Sequence, residues 1–530
     1  MRNFQLPGRS TVHAQNGVAA TSHPLATVAA IDTLKQGGNA IDAAVAAGAV
    51  LAVVEPQSTG IGGDCFVLYA KSGGAEVIGL NGSGQAPAAA TAGWYAEQGF
   101  DHIPPMHSPH CVTVPGAIDA WDRLLNDHGT LSLGEALAPA IDYAVNGFAV
   151  APRVAHDWER SVEKLSWDAT TKAVYLPGGR APRIGDVHKQ ERLGDTLKAI
   201  AEGGREAFYG GAIARDMVDY LRGLGGLHTL DDFAACEASY VTPISTTYRG
   251  HEVLQIPPNG QGITVLLMLN LLAEFDLAAL DPLGVERLHL QAEATRLAYR
   301  MRDSMIGDPT QADVPIEEIL SSEFADKLRG KINRGKALND WEVTNIPRHE
   351  DTVYLTVVDK DRNTVSFINS LFAGFGSGLT APKSGVLLQN RGSGFVVDPT
   401  HPNAIAPGKR PFHTIIPGMV RKGGRAYMSY GVMGGHYQPV GHTHLLTNVI
   451  DYGMDLQEGL DLARGFHFGG EFLLEAGISD DVAQGLADLG HNVVRAGWPQ
   501  GGGQAIRVHW DQGTLEAGSE PRKDGCALGY

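Results

Sequence analysis

Cysteine is scarce in this chain. Cys65, Cys111, Cys236 and Cys526 are spread over 530 residues, and no two form a CxxC pair. Neither a disulfide framework nor a cysteine-built zinc site is expected. Basic charge is also short: 42 Lys and Arg against 59 Asp and Glu give a net charge of −17, with no polybasic run. That balance argues against nucleic acid or an acidic membrane surface as a partner. Long apolar runs are missing too. The most continuous, Ile41 to Val54, contains Asp42 and is too short to span a bilayer, so it reads as a buried helix. The opening MRNFQLPGRSTVHAQ has no apolar signal core. The expectation is a soluble, cytoplasmic protein, unless an export signal has been trimmed.

Glycine is abundant, with 67 residues and no G-X-Y period, which implies many tight turns and close backbone approaches. Residues 24–54 read as two Ala-rich helices broken at Gln36-Gly37-Gly38-Asn39. STGIGGDCFVLYA (58–70) reads as a glycine turn entering an apolar strand. Helical spacing dominates from about 115 to 350, as in GVERLHLQAEATRLAYRMRDSM. Beyond 351 the texture changes. Strand-like runs at Thr352–Val358, Thr364–Phe367 and Gly385–Leu388 alternate with glycine turns. The helix THLLTNVIDYG and a final strand QAIRVHW follow. The apolar run Val353–Val358 suits a strand buried on both faces, as in two stacked sheets covered by helices. GFGSG (374–378) lacks the Lys-Ser/Thr of a phosphate loop and enters no helix. No cofactor is expected.

Five stretches occur in order: GGNAIDAAVAAGAVLAVVEPQSTGIGGDCFV (37–67), DTVYLTVVD (351–359), FGSG (375–378), PGKRPFHTIIP (407–417) and MGGHYQPVGH (433–442). Together they resemble the γ-glutamyltransferase family of N-terminal nucleophile hydrolases over nearly the whole chain. The resemblance implies an α+β fold, a four-layer αββα sandwich formed by two autoproteolytic subunits. It places the cleavage between Asp351 and Thr352. A helix-rich large subunit would then span 1–351, and a small subunit carrying the nucleophile 352–530. Alone, Thr352 would read as a β-branched residue at a strand start. In this context it is expected to be the nucleophile, with its freed α-amine as general base. Such an amine has a pKa of about 7.7–8.0, near the working pH. The resemblance also implies that Ser370 hydrogen-bonds around the nucleophile and that Gly434 and Gly435 offer backbone N–H groups to an oxyanion.

Several positions depart from the γ-glutamyl pattern. Ser83 stands where the family has an arginine for the substrate α-carboxylate. Phe372 replaces an asparagine, Arg391 and Gly394 replace the glutamine and aspartate that bind the α-amine, and His413-Thr414 replace paired serines. The acceptors for an ammonium are lost while a guanidinium is gained, which favours an anionic acyl group held by Arg391, with Phe372, His413, Thr414 and Ser83 lining its pocket. NRG, PFHT and MGG..QP are similar to the branch that holds oxamate amidohydrolase and β-lactam side-chain acylases.

The reading is therefore a self-processing amidohydrolase that cleaves a small anionic amide through an acyl-Thr352 ester. Its partners are that small-molecule substrate and the two subunits of one precursor, which could pair further as a homodimer. A γ-glutamyltransferase or glutathione hydrolase is the alternative enzyme. An unprocessed relative that binds without turnover is the alternative from another class; a denaturing gel with one band rather than two distinguishes it. His436, His442 and His444 cluster in sequence, but without HExxH or Cys/His spacing no metal site is expected.

Overall fold

The structure, a computed structural model, describes residues 5, 8–74, 76–338 and 352–530. Two seven-stranded antiparallel sheets form its centre. One runs in the order Cys526–Gly529, Val18–Thr21, Val353–Val358, Thr364–Ser370, Asp64–Ala70, Ile78–Gly82, Ser239–Val241. The other runs Val12–Ala14, Thr514–Ser519, Gly502–His509, Arg425–Met433, Gly418–Lys422, His251–Gln255, Ile244–Tyr248. Helices close both outer faces. Ala40–Val54 packs on the first sheet, with Pro24–Lys35, Ala117–His128 and Leu133–Asn146 around it. Gly262–Leu272, Val285–Met305 and Gln438–Ile450 cover the second. This is the expected αββα sandwich, an α+β fold.

The layering explains the composition. Val353–Val358 is buried at all six positions because helices lie on one face and the second sheet on the other. β-branched and aromatic residues suit such a strand. The helix Ala40–Val54 is buried on every side, which accounts for its small side chains. Asp42 within it is not a liability: its carboxylate accepts from Asn39 N at 2.7 Å in a capping box, and from Thr130 N and Leu131 N at 2.8 and 3.0 Å.

Two expectations fail. Gly385–Leu388 is not a strand; Leu387 and Leu388 make only isolated bridges, to Thr380 and Gly62. The run is apolar because it is buried beneath the loop at Gly62, so its hydrophobicity reports burial and not pairing. QAIRVHW lies in the strand Gly502–His509 but is not the last one, since Thr514–Ser519 and Cys526–Gly529 follow. All four cysteines are free thiols. Among the described residues, no helix is long and apolar enough to cross a membrane.

Candidate active site

Sheet register aligns the site. Ser370 is paired with Asp64 on the next strand, and Val353 with Asn369, which sets Thr352 opposite Ser370. Cys65 pairs with Gly82, so Ser83 stands one step beyond, level with Asp64. Thr352, Ser370, Asp64 and Ser83 thus form one row across four adjacent strands, and directly opposed residues share a face. The Thr352 hydroxyl lies 3.1 Å from Ser370 Oγ, which also accepts the Phe372 N–H at 2.8 Å. Both hydroxyl residues are fully buried. Phe372 turns the chain at φ +83°, in the left-handed region where a bulky residue is strained. That turn brings its N–H back onto Ser370.

Asp64 is the hub of the row. Its carboxylate accepts from Gly84 N and Gln389 Nε2, both at 2.9 Å, and from His413 Nε2, also at 2.9 Å. Gly84 is required here: a Cβ on it would sit 1.6 Å from the Val114 carbonyl oxygen. Because His413 Nδ1 accepts the Ile415 N–H, the ring proton is on Nε2 and points at Asp64. Burial, reinforced by Arg391, pushes the His413 imidazole down to about 4, so it is neutral at physiological pH. Replacing Asp64 by asparagine is expected to set an amide NH₂ against either the His413 Nε2–H or the Gly84 N–H. Loss of such a charge-assisted contact costs about 1.5–3 kcal/mol. Thermal unfolding measures it, and an unchanged Tm would remove Asp64 from this role.

Arg391 is also fully buried. Its guanidinium stacks on the Phe372 ring with 4.0 Å between guanidinium carbon and centroid, and Nη1 donates to Thr414 Oγ1 at 2.8 Å. Nε and Nη2 meet no acceptor among the described residues. Burial lowers its pKa to about 9, with Asp64 opposing the shift, and it stays protonated at neutral pH. A buried cation with two idle donors calls for an anion. Ser83 Oγ accepts from Asn259 Nδ2, and its N–H is held by Asn81 Oδ1.

Gly434 and Gly435 close the strand Arg425–Met433 at φ +124° and +56°. A Cβ on Gly434 would come 2.9 Å from Gly501 Cα, so glycine is needed there. The Gly434 carbonyl accepts the Tyr437 N–H at 2.9 Å, which turns the Gly435 N–H of the same peptide plane the other way. The Gly435 carbonyl is held by Gln261 Nε2 at 3.0 Å, and Gln261 also bonds Thr414 O and Arg302.

The structure therefore brings Thr352 and Ser370 together, sets His413 on Asp64, and sets Phe372 and Thr414 on Arg391. Asp351 lies outside the described residues. Asp64, Gln389 and Gln261 went unnoticed in sequence. GGD before a strand was the available signal, but a lone Asp after two glycines reads equally as a turn residue. His442 faces Gln255 and His444 faces Arg287. Among the described residues, His289, Glu293 and His491 bring possible metal ligands within 4.8 Å. Most of their atoms are already engaged: His289 Nε2 with Asn333 O, His289 Nδ1 with His491 Nε2, and Glu293 with Arg296 and the Leu338 N–H.

Two stacked antiparallel sheets between helical layers form the sandwich of the N-terminal nucleophile hydrolase fold. The profile of the gamma-glutamyltranspeptidase family matches residues 26–530. The chain is 40% identical over 520 residues to the glutathione hydrolase-like YwrD proenzyme of Bacillus subtilis, covering 97% of this chain and 98% of that one. It is 34% identical over 536 residues to the oxamate amidohydrolase proenzyme of Klebsiella pneumoniae, covering 98% and 100%. The crystal structure of cephalosporin acylase from Bacillus halodurans superposes with a TM-score of 0.93 at 40% identity, covering 100% of this chain and 99% of that one. The chain belongs to the gamma-glutamyltranspeptidase family and is an amidohydrolase of the N-terminal nucleophile class.

Proposed function

We propose that the chain is a precursor that cuts itself between Asp351 and Thr352, and then hydrolyses a small amide with an anionic acyl group. The large subunit is 1–351 and the small subunit 352–530. The Thr352 hydroxyl attacks the substrate carbonyl, its α-amine takes the proton, and an acyl-threonine ester forms as the amine leaves. Ser370, bonded to that hydroxyl and fixed by the Phe372 N–H, orients it. The N–H groups of Gly434 and Gly435 receive the developing oxyanion. Water then hydrolyses the ester.

The observation that carries the substrate class is Arg391. It is buried on an aromatic ring, held on one side by Thr414, with two donors idle. A substrate carboxylate satisfies both through a bidentate, charge-assisted pair. Two relatives, by name, act on oxamate and on cephalosporins; oxamate is an amide whose acyl group carries such a carboxylate. The deciding experiment compares hydrolysis of oxamate, glutaryl amides and a γ-glutamyl anilide by purified enzyme. Oxamate and glutaryl amides are expected to be cleaved with the higher kcat/KM. Preference for the γ-glutamyl anilide, with transfer to a dipeptide acceptor, would return the protein to the transferase reading.

The oxyanion assignment has its own test. Gly435→Ala adds a methyl group where φ is +56°, a conformation that costs an L-residue roughly 1–2 kcal/mol. The peptide is expected to rotate away and kcat to fall about tenfold or more, with circular dichroism unchanged. Wild-type kcat in a folded Gly435→Ala protein would sink the assignment.

A further inference from the structure

We propose that Gln261 is a positioning residue for the reaction: its one buried amide fixes the oxyanion turn and the carboxylate pocket relative to each other. The proposal rests on the roles given above to Gly434, Gly435 and Arg391.

Gln261 stands just ahead of the helix Gly262–Leu272 and is fully buried. Its neighbours fix which way the amide points. The Thr414 and Gly435 carbonyls can only accept, so Nε2 faces both, at 2.6 and 3.0 Å. Arg302 Nη1 can only donate, so Oε1 faces it at 3.1 Å. Both amide hydrogens are thus spent on carbonyls of two separate segments. Arg302 is itself anchored: its guanidinium carbon lies 4.0 Å from the Tyr299 ring centroid, and Nε pairs with Asp303 at 2.7 Å. A buried cation therefore holds the amide from behind and polarises it, which strengthens both donor bonds.

The two segments need an outside brace. Within the oxyanion turn, the Gly434 and Gly435 carbonyls accept the Tyr437 and Gln438 N–H groups. Those bonds shape the turn but do not place it against the acyl pocket. Consecutive glycines at positive φ have more backbone freedom than other residues, so placement has to come from elsewhere. On the pocket side, the Gln261 N–H holds the His413 carbonyl at 2.9 Å, and its side chain holds the next carbonyl, that of Thr414. Thr414 then presents Oγ1 to Arg391 at 2.8 Å. One side chain thus reaches both the oxyanion donors and the group that reads the carboxylate. The Tyr299 hydroxyl donates to the His436 carbonyl, and the Ile416 N–H to Gln438 Oε1 at 3.0 Å. These struts keep the turn folded when Gln261 is altered, so its loss misplaces the turn without unfolding it.

The test is steady-state kinetics of Gln261→Met and Gln261→Glu on oxamate and on a neutral acyl amide, per active site of two-chain enzyme, with Tm measured alongside. Gln261→Met keeps the bulk and loses both donors. Its kcat is expected to fall about tenfold or more on both substrates, and its KM to rise severalfold on oxamate alone. Gln261→Glu keeps the shape and the Arg302 contact but sets a carboxylate oxygen against two carbonyls. Its kcat should fall further, and it carries the test even where Gln261→Met folds poorly. Because Gln261 acts on Arg391 through Thr414, adding Arg391→Ala to Gln261→Met should raise the oxamate KM by a smaller factor than in the wild type. Wild-type kinetics in either folded variant overturns the proposal, as does a lower Tm with kcat and KM unchanged. A fall in kcat with the oxamate KM unaltered also overturns it, because Gln261 would then serve the oxyanion turn alone. Failure of the underlying reading shows elsewhere: Arg391→Ala would weaken oxamate and the neutral amide equally, and Gly435→Ala would keep wild-type kcat.

Discussion

Thr352→Ala is expected to remain a single chain on a denaturing gel and to lose amidase activity by about 10⁴-fold or more. Wild-type protein should give two chains, the smaller beginning at Thr352. The substitution removes the hydroxyl that lies 3.1 Å from Ser370 Oγ and leaves the strand Val353–Val358 untouched. Folding should therefore survive, and the loss is chemical. Processing and turnover share this hydroxyl, so both fail together. Thr352→Ser keeps the hydroxyl and should process, though more slowly. In the wild type, kcat/KM should rise with pH as the α-ammonium loses its proton, levelling above about pH 8. An active protein with an intact 351–352 bond would falsify the whole scheme.

Arg391→Ala should reduce kcat/KM for oxamate by about tenfold to a hundredfold, the equivalent of about 1.5–3 kcal/mol for hydrogen bonds to a charged partner. A neutral acyl amide should be affected far less, and that difference is the measurement. Arg391→Lys should restore only part of the loss, because a lysine offers a point charge without the planar fork and stacks less well on Phe372. Equal losses on anionic and neutral substrates would mean that Arg391 supports the pocket structurally and reads no carboxylate.

The fold was legible where burial leaves a periodic trace. The two Ala-rich helices, the strand entered at Asp64 and the strand Val353–Val358 all appear where patterning put them. Gly385–Leu388 misled because an apolar run records burial and says nothing about who donates hydrogen bonds to it. Thr352 and Ser370 were singled out by the family resemblance and not by periodicity, since the strands Val353–Val358 and Thr364–Ser370 are buried at every position and carry no alternation. Asp64 was not. Its importance arises from four donors that come from residues 84, 116, 389 and 413, and no local pattern carries such a convergence. Arg391 was visible as a residue out of place, but its idle donors and its stack on Phe372 exist only in three dimensions.

Strand order has a consequence for the cleaved molecule. Val353–Val358 lies between Val18–Thr21 and Thr364–Ser370, while Cys526–Gly529 grips the far side of Val18–Thr21. In the other sheet, Val12–Ala14 and His251–Gln255 bracket four strands from beyond residue 352. If the chain is cut at 351 as proposed, the two polypeptides stay woven through each other like the fingers of clasped hands. They should sediment as one particle, melt in one transition whose midpoint rises with protein concentration because unfolding releases two chains, and part only when both sheets come undone.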